Sequence, residues 1–318
     1  RYGLLETIRQ FAEEKLAASG AIDEVRDRHA RYFADQAVAH WEVWDGPRQR
    51  EAHDWADIEY ANLRAGFRRA ADTAALDTAA DIAAHTACLC FELSRYEPTR
   101  WVEEILPAAT QAEIRRLPRL LVAAIFASFD GRKEAVPAYC RAALRLQDDP
   151  RYDPFDPGWG GWVAAVLDFT ERGDAEESLV ILQDLSSRPG LARAAGLIGM
   201  LMVLTAHDRA AEARTIAEDA VTAARAHGNP LFISFAESGF ARAYMDSDHA
   251  RARSALQSAL SCAREHRLEQ WGNVCLRELA LLEGLAGDIP RSLGTFDRVI
   301  DVDQRAGDQT DLRGTLGA

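Results

Sequence analysis

The chain has no C-x-x-C pair, no H-E-x-x-H or H-x-x-x-H pair, no G-x-S-x-G elbow and no G-x-x-x-x-G-K-[ST] loop. These absences remove the local signatures of zinc ribbons and thioredoxin-like redox sites, zinc proteases, serine hydrolases and the backbone cradle for ATP phosphates. We therefore expect no catalytic, cofactor-binding or metal site in this chain. Cysteine is scarce and odd in number: Cys88, Cys90, Cys140, Cys262 and Cys275. That usage fits reduced thiols in a cytoplasmic protein rather than a disulfide framework. Cys88 and Cys90 form C-x-C within an apolar helical stretch, where their side chains diverge by roughly 200°, and both read as core residues.

Long hydrophobic runs are missing too. The most apolar stretch, Ala194 to Ala206, is too short to span a bilayer and reads as a buried helix. No charged-then-apolar leader precedes residue 30. Positive charge is in deficit: 37 Lys and Arg against 50 Asp and Glu give a net charge of −13. Phosphate contacts need clustered cations, so direct nucleic-acid contact is not expected, and neither is a membrane partner. Arg far outnumbers Lys and is interspersed with acidic residues, as on a solvated helical surface. The acidic group Asp54, Asp57 and Glu59 reads in the same way.

What is present is helix-forming sequence. Ala dominates, the 11 prolines are spread thinly, and β-branched runs are rare. After a β-like start at Tyr2–Leu5, Leu4, Ile8, Phe11 and Leu16 fall near one helix face. A second helix carries Val25, His29, Tyr32 and Phe33. A third begins near Pro47, with Trp55, Ile58, Leu63 and Phe67 on its apolar face. A fourth, from about Asp77 to Ser94, is apolar nearly all round and so predicts burial between neighbours.

From about Leu117, helix pairs joined by short Gly/Asp turns recur. Aligned on the small residue after each turn, the anchors are Ala135, Ser178, Ala213, Ala252 and Ser292, at intervals of 43, 35, 39 and 40 residues. Four residues later come Tyr139, Leu182, Ala217, Leu256 and Phe296, and seven later Ala142, Leu185, Ala220, Ala259 and Val299. Positions 0, +4 and +7 share one helix face. A small anchor lets two helices approach, and the +4 residue fills the gap to the next pair. A period near 40 predicts a stacked helical array.

This pattern resembles the tetratricopeptide repeat, best in Trp162, Phe169, Gly173 and Ser178 and in Leu276, Leu279, Ala280, Gly287 and Ser292. The N-terminal part is similar to a more specific family. "RYGLLETIRQFAEEKLAASG", then "RDRHARYFADQA" and "DIEYANLRAGFRRAAD" resemble a stretch of large actinobacterial LuxR-type ATPase regulators and of relatives with a class III adenylate cyclase domain. Arg1, Tyr2, Leu4, Leu5, Glu6, Thr7, Arg9, Phe11 and Ala12 carry the match, with His29, Tyr32, Phe33, Glu59, Asn62, Leu63, Arg64 and Ala65. The resemblance implies three segments. Residues 1–5 would be a remnant of an upstream winged-helix segment, 6–115 an N-terminal helical region, and 116–318 tetratricopeptide-like repeats.

The expected fold is thus all-α, a right-handed helical-repeat array of roughly fifteen helices. The function the resemblance implies is the sensor or protein-interaction region of a cytosolic signalling or transcriptional regulator, non-catalytic by itself. Alternatives are the regulatory region of a class III adenylate or guanylate cyclase, or a free-standing scaffold. The expected partners are a protein, peptide or small effector on the concave face, and an upstream ATPase or cyclase module.

Two groups of residues are candidates for recognition. Trp41, Trp44 and Trp55, near Arg48 and Arg50, read either as core packing or as an exposed patch that docks the upstream module. Trp159, Trp162, Glu237, Arg242, Arg277 and Glu278 read either as the lining of a concave groove or as packing and inter-repeat ion pairs. Trp162 also occupies a packing position of the tetratricopeptide pattern. The loop 148–162, rich in Pro, Gly and aromatics, is either a recognition loop or an insertion whose aromatics plug a gap.

Overall fold

The computed structural model describes residues 6–306, apart from 129–131, 133, 148, 154–156 and 172–174. The expected strand remnant at 1–5 lies outside the described residues, as does 307–318. Among the described residues the chain forms fifteen α-helices and no strand. After α1 (Glu6–Ala18) come α2 (Ile22–Trp44) and α3 (Gln49–Asp72), then α4 (Leu76–Phe91) and α5 (Glu97–Gln111). Helix α6 (Leu117–Ala124) runs into a 3-10 turn (Ile125–Ser128) and is followed by α7 (Val136–Leu146). Next are α8 (Pro157–Glu171) with α9 (Ala175–Ser187) and α10 (Leu191–Ala206) with α11 (Ala210–His227). The last are α12 (Pro230–Tyr244) with α13 (His249–His266) and α14 (Glu269–Leu285) with α15 (Ile289–Ala306).

From α2 onward each helix packs on its successor, as short turns require. Even-numbered helices also touch one another, α2 with α4, α4 with α6, α8 with α10, α10 with α12, and α12 with α14. Being flanked on several sides, they are the apolar ones: α4 is buried from Ala79 to Phe91 apart from Asp81, and α10 buries Leu191 through Leu204 with few gaps. Among the described residues, none of these helices is long and apolar enough to cross a membrane.

The anchor register explains how close the helices come. Ala213, Ala217 and Ala220 on α11 and Ala252, Leu256 and Ala259 on α13 are all fully buried. The two serine anchors each donate a hydrogen bond to the preceding helix, Ser178 Oγ to Ala164 O at 3.3 Å and Ser292 Oγ to Ala280 O at 2.8 Å. A small residue therefore sits where backbones nearly meet, and its hydroxyl satisfies itself on a carbonyl there. The first repeat departs from the expected register. Ala135 is only half-buried, and Val136, Cys140 and Ala143 face the core, one residue later than Ala135, Tyr139 and Ala142. Pro137 sits in the first turn and starts α7 at Val136, so Ala135 becomes the cap rather than a contact.

Glycine brings α10 against α9. A Cβ on Gly196 would lie 2.5 Å from Ser186 N and 2.7 Å from Leu182 O, closer than side-chain carbons tolerate.

Candidate functional site

The even-numbered helices surround an aromatic interior. Trp41 and Trp44 come from α2, Trp159 and Trp162 from the first turns of α8, Phe126 from the 3-10 turn, and Phe232 and Phe235 from α12. Trp159 is the hub. Its ring centroid lies 5.4 Å from Trp41, 5.5 Å from Trp44, 5.4 Å from Trp162, 6.4 Å from Phe232 and 6.5 Å from Phe126. Trp271 on α14 extends the cluster, 4.1 Å from Phe235. Such offset and edge-to-face pairs add about 0.5–1.5 kcal/mol each beyond area burial.

Two expected sites thus fuse into one, and neither is a surface. Trp41 and Trp44 are 9% and 1% exposed, and Trp159 and Trp162 are 4% and 8% exposed, so an exposed docking patch and an aromatic groove lining are both ruled out. The reason is geometric: successive even helices turn their inner faces to a common centre, and only large side chains fill it. Trp55 is half-buried and stacks on His40 at 3.8 Å, away from the other two. Tyr152 of the 148–162 stretch is buried with Trp159 and Trp162, so these aromatics plug a gap.

The charged candidates are corrected as well. Glu237 is buried and accepts from Arg225 Nη2 at 2.5 Å and Ser258 Oγ at 3.4 Å. Glu278 is buried between α12 and α14, where it accepts from Arg242 Nε at 2.5 Å and Ser238 Oγ at 2.6 Å. Both carboxylates are internally paired, as bridges between neighbouring helices rather than open groove residues. Arg277 is half-buried on α14.

The arrangement no local sequence signal reveals is a polar seam between the α2–α5 corner turns and the ends of α12, α13 and α14. Asn229 caps α12 by accepting from Leu231 N (2.9 Å) and Phe232 N (3.2 Å). Its amide donates to Trp44 O at 3.2 Å, while Gln49 donates to its Oδ1 at 3.4 Å and accepts from Leu231 N at 3.2 Å. At the end of α13, Arg50 Nη1 donates to Glu265 O (3.0 Å) and His53 Nδ1 to His266 O (3.1 Å). At the start of α14, Glu92 O accepts from Glu269 N (2.9 Å) and Gln270 N (3.3 Å), and Glu92 Oε2 from Trp271 N (3.1 Å). Tyr96 Oη donates to Gln270 Oε1 at 2.8 Å. Orphan amides and carbonyls of three helices are thereby satisfied by residues far away in sequence.

Charge closes the outer side. Arg267 has φ 58°, a left-handed conformation costly for a residue with a Cβ, and that turn aims its guanidinium at Asp54 (2.7 Å) and Asp57 (3.2 Å). Asp57 also takes Arg95 at 2.5 Å. Asp54 and Asp57 are therefore cross-seam ligands for arginine and not simply a solvated face.

Titration behaviour follows from burial. Trp44 Nε1 donates to His53 Nε2 at 2.9 Å, and an indole can only donate, so His53 is neutral with its proton on Nδ1. Burial pushes its pKa down to about 4, against a smaller upward pull from the His266 carbonyl. His85 is pushed down to about 3, again by burial, and its Nδ1 donates to Asp81 O at 2.6 Å. Burial raises the Cys88 and Cys90 thiols to about 12, which keeps them protonated core groups. Among the described residues no His, Cys, Asp and Glu cluster has a metal-holding arrangement. A cleft of about 420 Å³ lies on the outside between α10 and α11, bordered by Gly190, Arg193, Asp219, Thr222 and His227.

No family model matches the chain, and no curated protein matches it either.

Proposed function

We propose that this chain is a tetratricopeptide-like sensing or protein-interaction region of a cytoplasmic signalling or transcriptional regulator of the LuxR-type ATPase kind, non-catalytic by itself. The observation that carries the reading is the recurrent anchor. Ser178, Ala213, Ala252 and Ser292 each sit buried where one helix meets the preceding one, at a period near 40. That supports a stacked array, right-handed by the resemblance, an architecture whose usual work is recognition. From residue 6 onward the N-terminal blocks that resemble the regulators fall in α1 to α3, and α2 and α3 bring the Trp44–Gln49–His53 corner to the ends of α12 and α13. In this reading the family-like segment is the part that holds the array, so an event on the array is felt by whatever α1 to α3 are joined to.

The interior is filled by tryptophans, so recognition falls to the outer helices and turns rather than to an open concave groove. A protein, peptide or small effector there would bias the ATPase module the resemblance implies; a cyclase module or a free-standing scaffold is the alternative. The test is incubation of the purified chain with ATP and magnesium. Neither hydrolysis nor cyclic-nucleotide formation is expected. Either product above a buffer control would overturn the non-catalytic reading.

A further inference from the structure

Large exposed apolar side chains gather at two places among the described residues. Tyr32, Ile58 and Val180 stand singly and need no explanation. Leu285, Ile289 and Leu293 form one group, 53–60% exposed, and Ile8 and Phe11 form the other, 48% and 59% exposed.

The first group lies on α15 and at the end of α14. Ser292, Thr295 and Val299 are its buried side. They meet α14 through Ser292 Oγ to Ala280 O, Thr295 Oγ1 to Glu283 Oε2 at 3.3 Å, and the neighbouring Arg291 to Glu283 at 2.7 Å. Ile289, Leu293, Phe296 and Ile300 follow i, i+4, i+7, i+11 and form a stripe beside that buried side, exposed at Ile289 and Leu293 and half-buried at Phe296 and Ile300. Phe296 holds the register position of Leu182, Ala217 and Leu256, all fully buried. In this chain such a face is covered by another helix, and the exposed Asp297 and Asp301 flank it on α15.

The second group supplies a helix of matching character. Among the described residues helix α1 has no extensive contact with another helix. Ile8 and Phe11 lie one turn apart on it, and the Lys15 ammonium sits 5.3 Å from the Phe11 ring centroid, so the apolar face carries a cation. An apolar stripe flanked by aspartates and an apolar face bearing a lysine are complementary in both shape class and charge.

We propose that the Ile289–Leu293–Phe296–Ile300 face of α15 docks helix α1 of a second copy of this chain. The contact is heterologous, using different surfaces of the two copies, so it builds short head-to-tail chains rather than a closed two-fold dimer. One helix on another is smaller than a standard stable interface, so the association is weak and concentration-dependent.

Sedimentation velocity on the full chain from ~5 to ~300 µM, where weak small interfaces become populated, tests this. The expected result is a rise in average mass with concentration. Leu293→Asp and Phe11→Asp should each weaken it by about tenfold or more, with unchanged circular dichroism because both side chains are exposed. Lys15→Glu should weaken it about two- to fivefold, and adding Asp297→Lys should restore it. A chain monomeric throughout overturns the proposal, including one in which α1 is protected from hydrogen exchange by folding onto its own α15. Association lost in Leu293→Asp but unaffected by Phe11→Asp overturns the assignment to α1 and points to α15 pairing with itself. Association indifferent to both variants overturns it as well.

Discussion

His53 offers a quantitative check on the seam. The residue is fully buried, accepts from Trp44 Nε1 and donates to His266 O, so both ring nitrogens are used in the neutral form only. Protonation would point Nε2–H at an indole N–H and place a cation beside the Arg267 guanidinium, with Asp54 as partial compensation and Arg50 nearby on the same helix. The pKa therefore falls from 6.5 to about 4 on folding. The unfolded chain binds the proton more readily, so stability from this group is complete above pH 6.5, declines as pH falls, and is fully lost below about 4. The loss amounts to about 3 kcal/mol across that window, a large share of an ordinary stability of about 5–15 kcal/mol. His85, lowered to about 3, adds to the slope in the same direction.

The informative variant is His53→Gln. Its amide keeps one acceptor for Trp44 and one donor for His266 but does not titrate. We expect it to cost about 1 kcal/mol near neutral pH and to regain about 2–3 kcal/mol relative to wild type by about pH 4.5. Urea unfolding followed by tryptophan fluorescence at a series of pH values measures both. Parallel wild-type and His53→Gln stability curves would refute the buried neutral imidazole and, with it, the seam geometry.

Overpacking the anchors should be severe: Ala213→Trp and Ala252→Trp, at fully buried contacts, should cost about 3 kcal/mol or more, while Asp248→Ala, which loses an N-cap bond to Arg251 N, should cost about 1 kcal/mol. Equal melting temperatures for the three would mean that the anchors are not contacts. Arg242→Ala strands the buried Glu278 carboxylate with Ser238 and should cost about 3–5 kcal/mol at neutral pH; a loss under about 1 kcal/mol in chemical denaturation would contradict its burial. Gly196→Ala, whose new carbon has no space between α10 and α9, should destabilise by about 1–3 kcal/mol although alanine is the better helix former, and a more stable variant would disprove the close approach.

Helix content and the spacing of the small anchors were readable because both are local. Helix α4 is buried nearly all round as its composition implies; along α2 and α3 the spacing finds Phe33, Leu63 and Phe67 on the buried face but also includes the exposed Tyr32 and Ile58, and the anchor series places Ser178, Ala213, Ala252 and Ser292 at buried contacts. Where the reading slipped, the competing signal was also local: Pro137 fixes the start of α7 and shifts the first repeat by one residue. The candidate site was legible only as residue types. Trp44 and Trp159 stand out in the sequence, but nothing near either says that they stack on each other. Glu237 and Glu278 look like groove residues because they interrupt apolar helices, and that same interruption is what a buried inter-helix ion pair produces.

Among the described residues, the sequence alone determined the helical class, the approximate number of helices, and the buried faces of α9, α11 and α13. Tertiary structure alone decided that three helix ends would be completed by residues from the other end of the chain. Gln49 reaches Asn229 and His53 reaches His266 across 180 and 213 residues. A helix end advertises in its own sequence only the caps it carries itself, as Asn229–Pro230 does for α12. The orphan groups of α13 and α14 can be met by any donor or acceptor that folding brings near. Arg50, His53 and Glu92 have the right chemistry, but only the stacking of the intervening helices sets the distance.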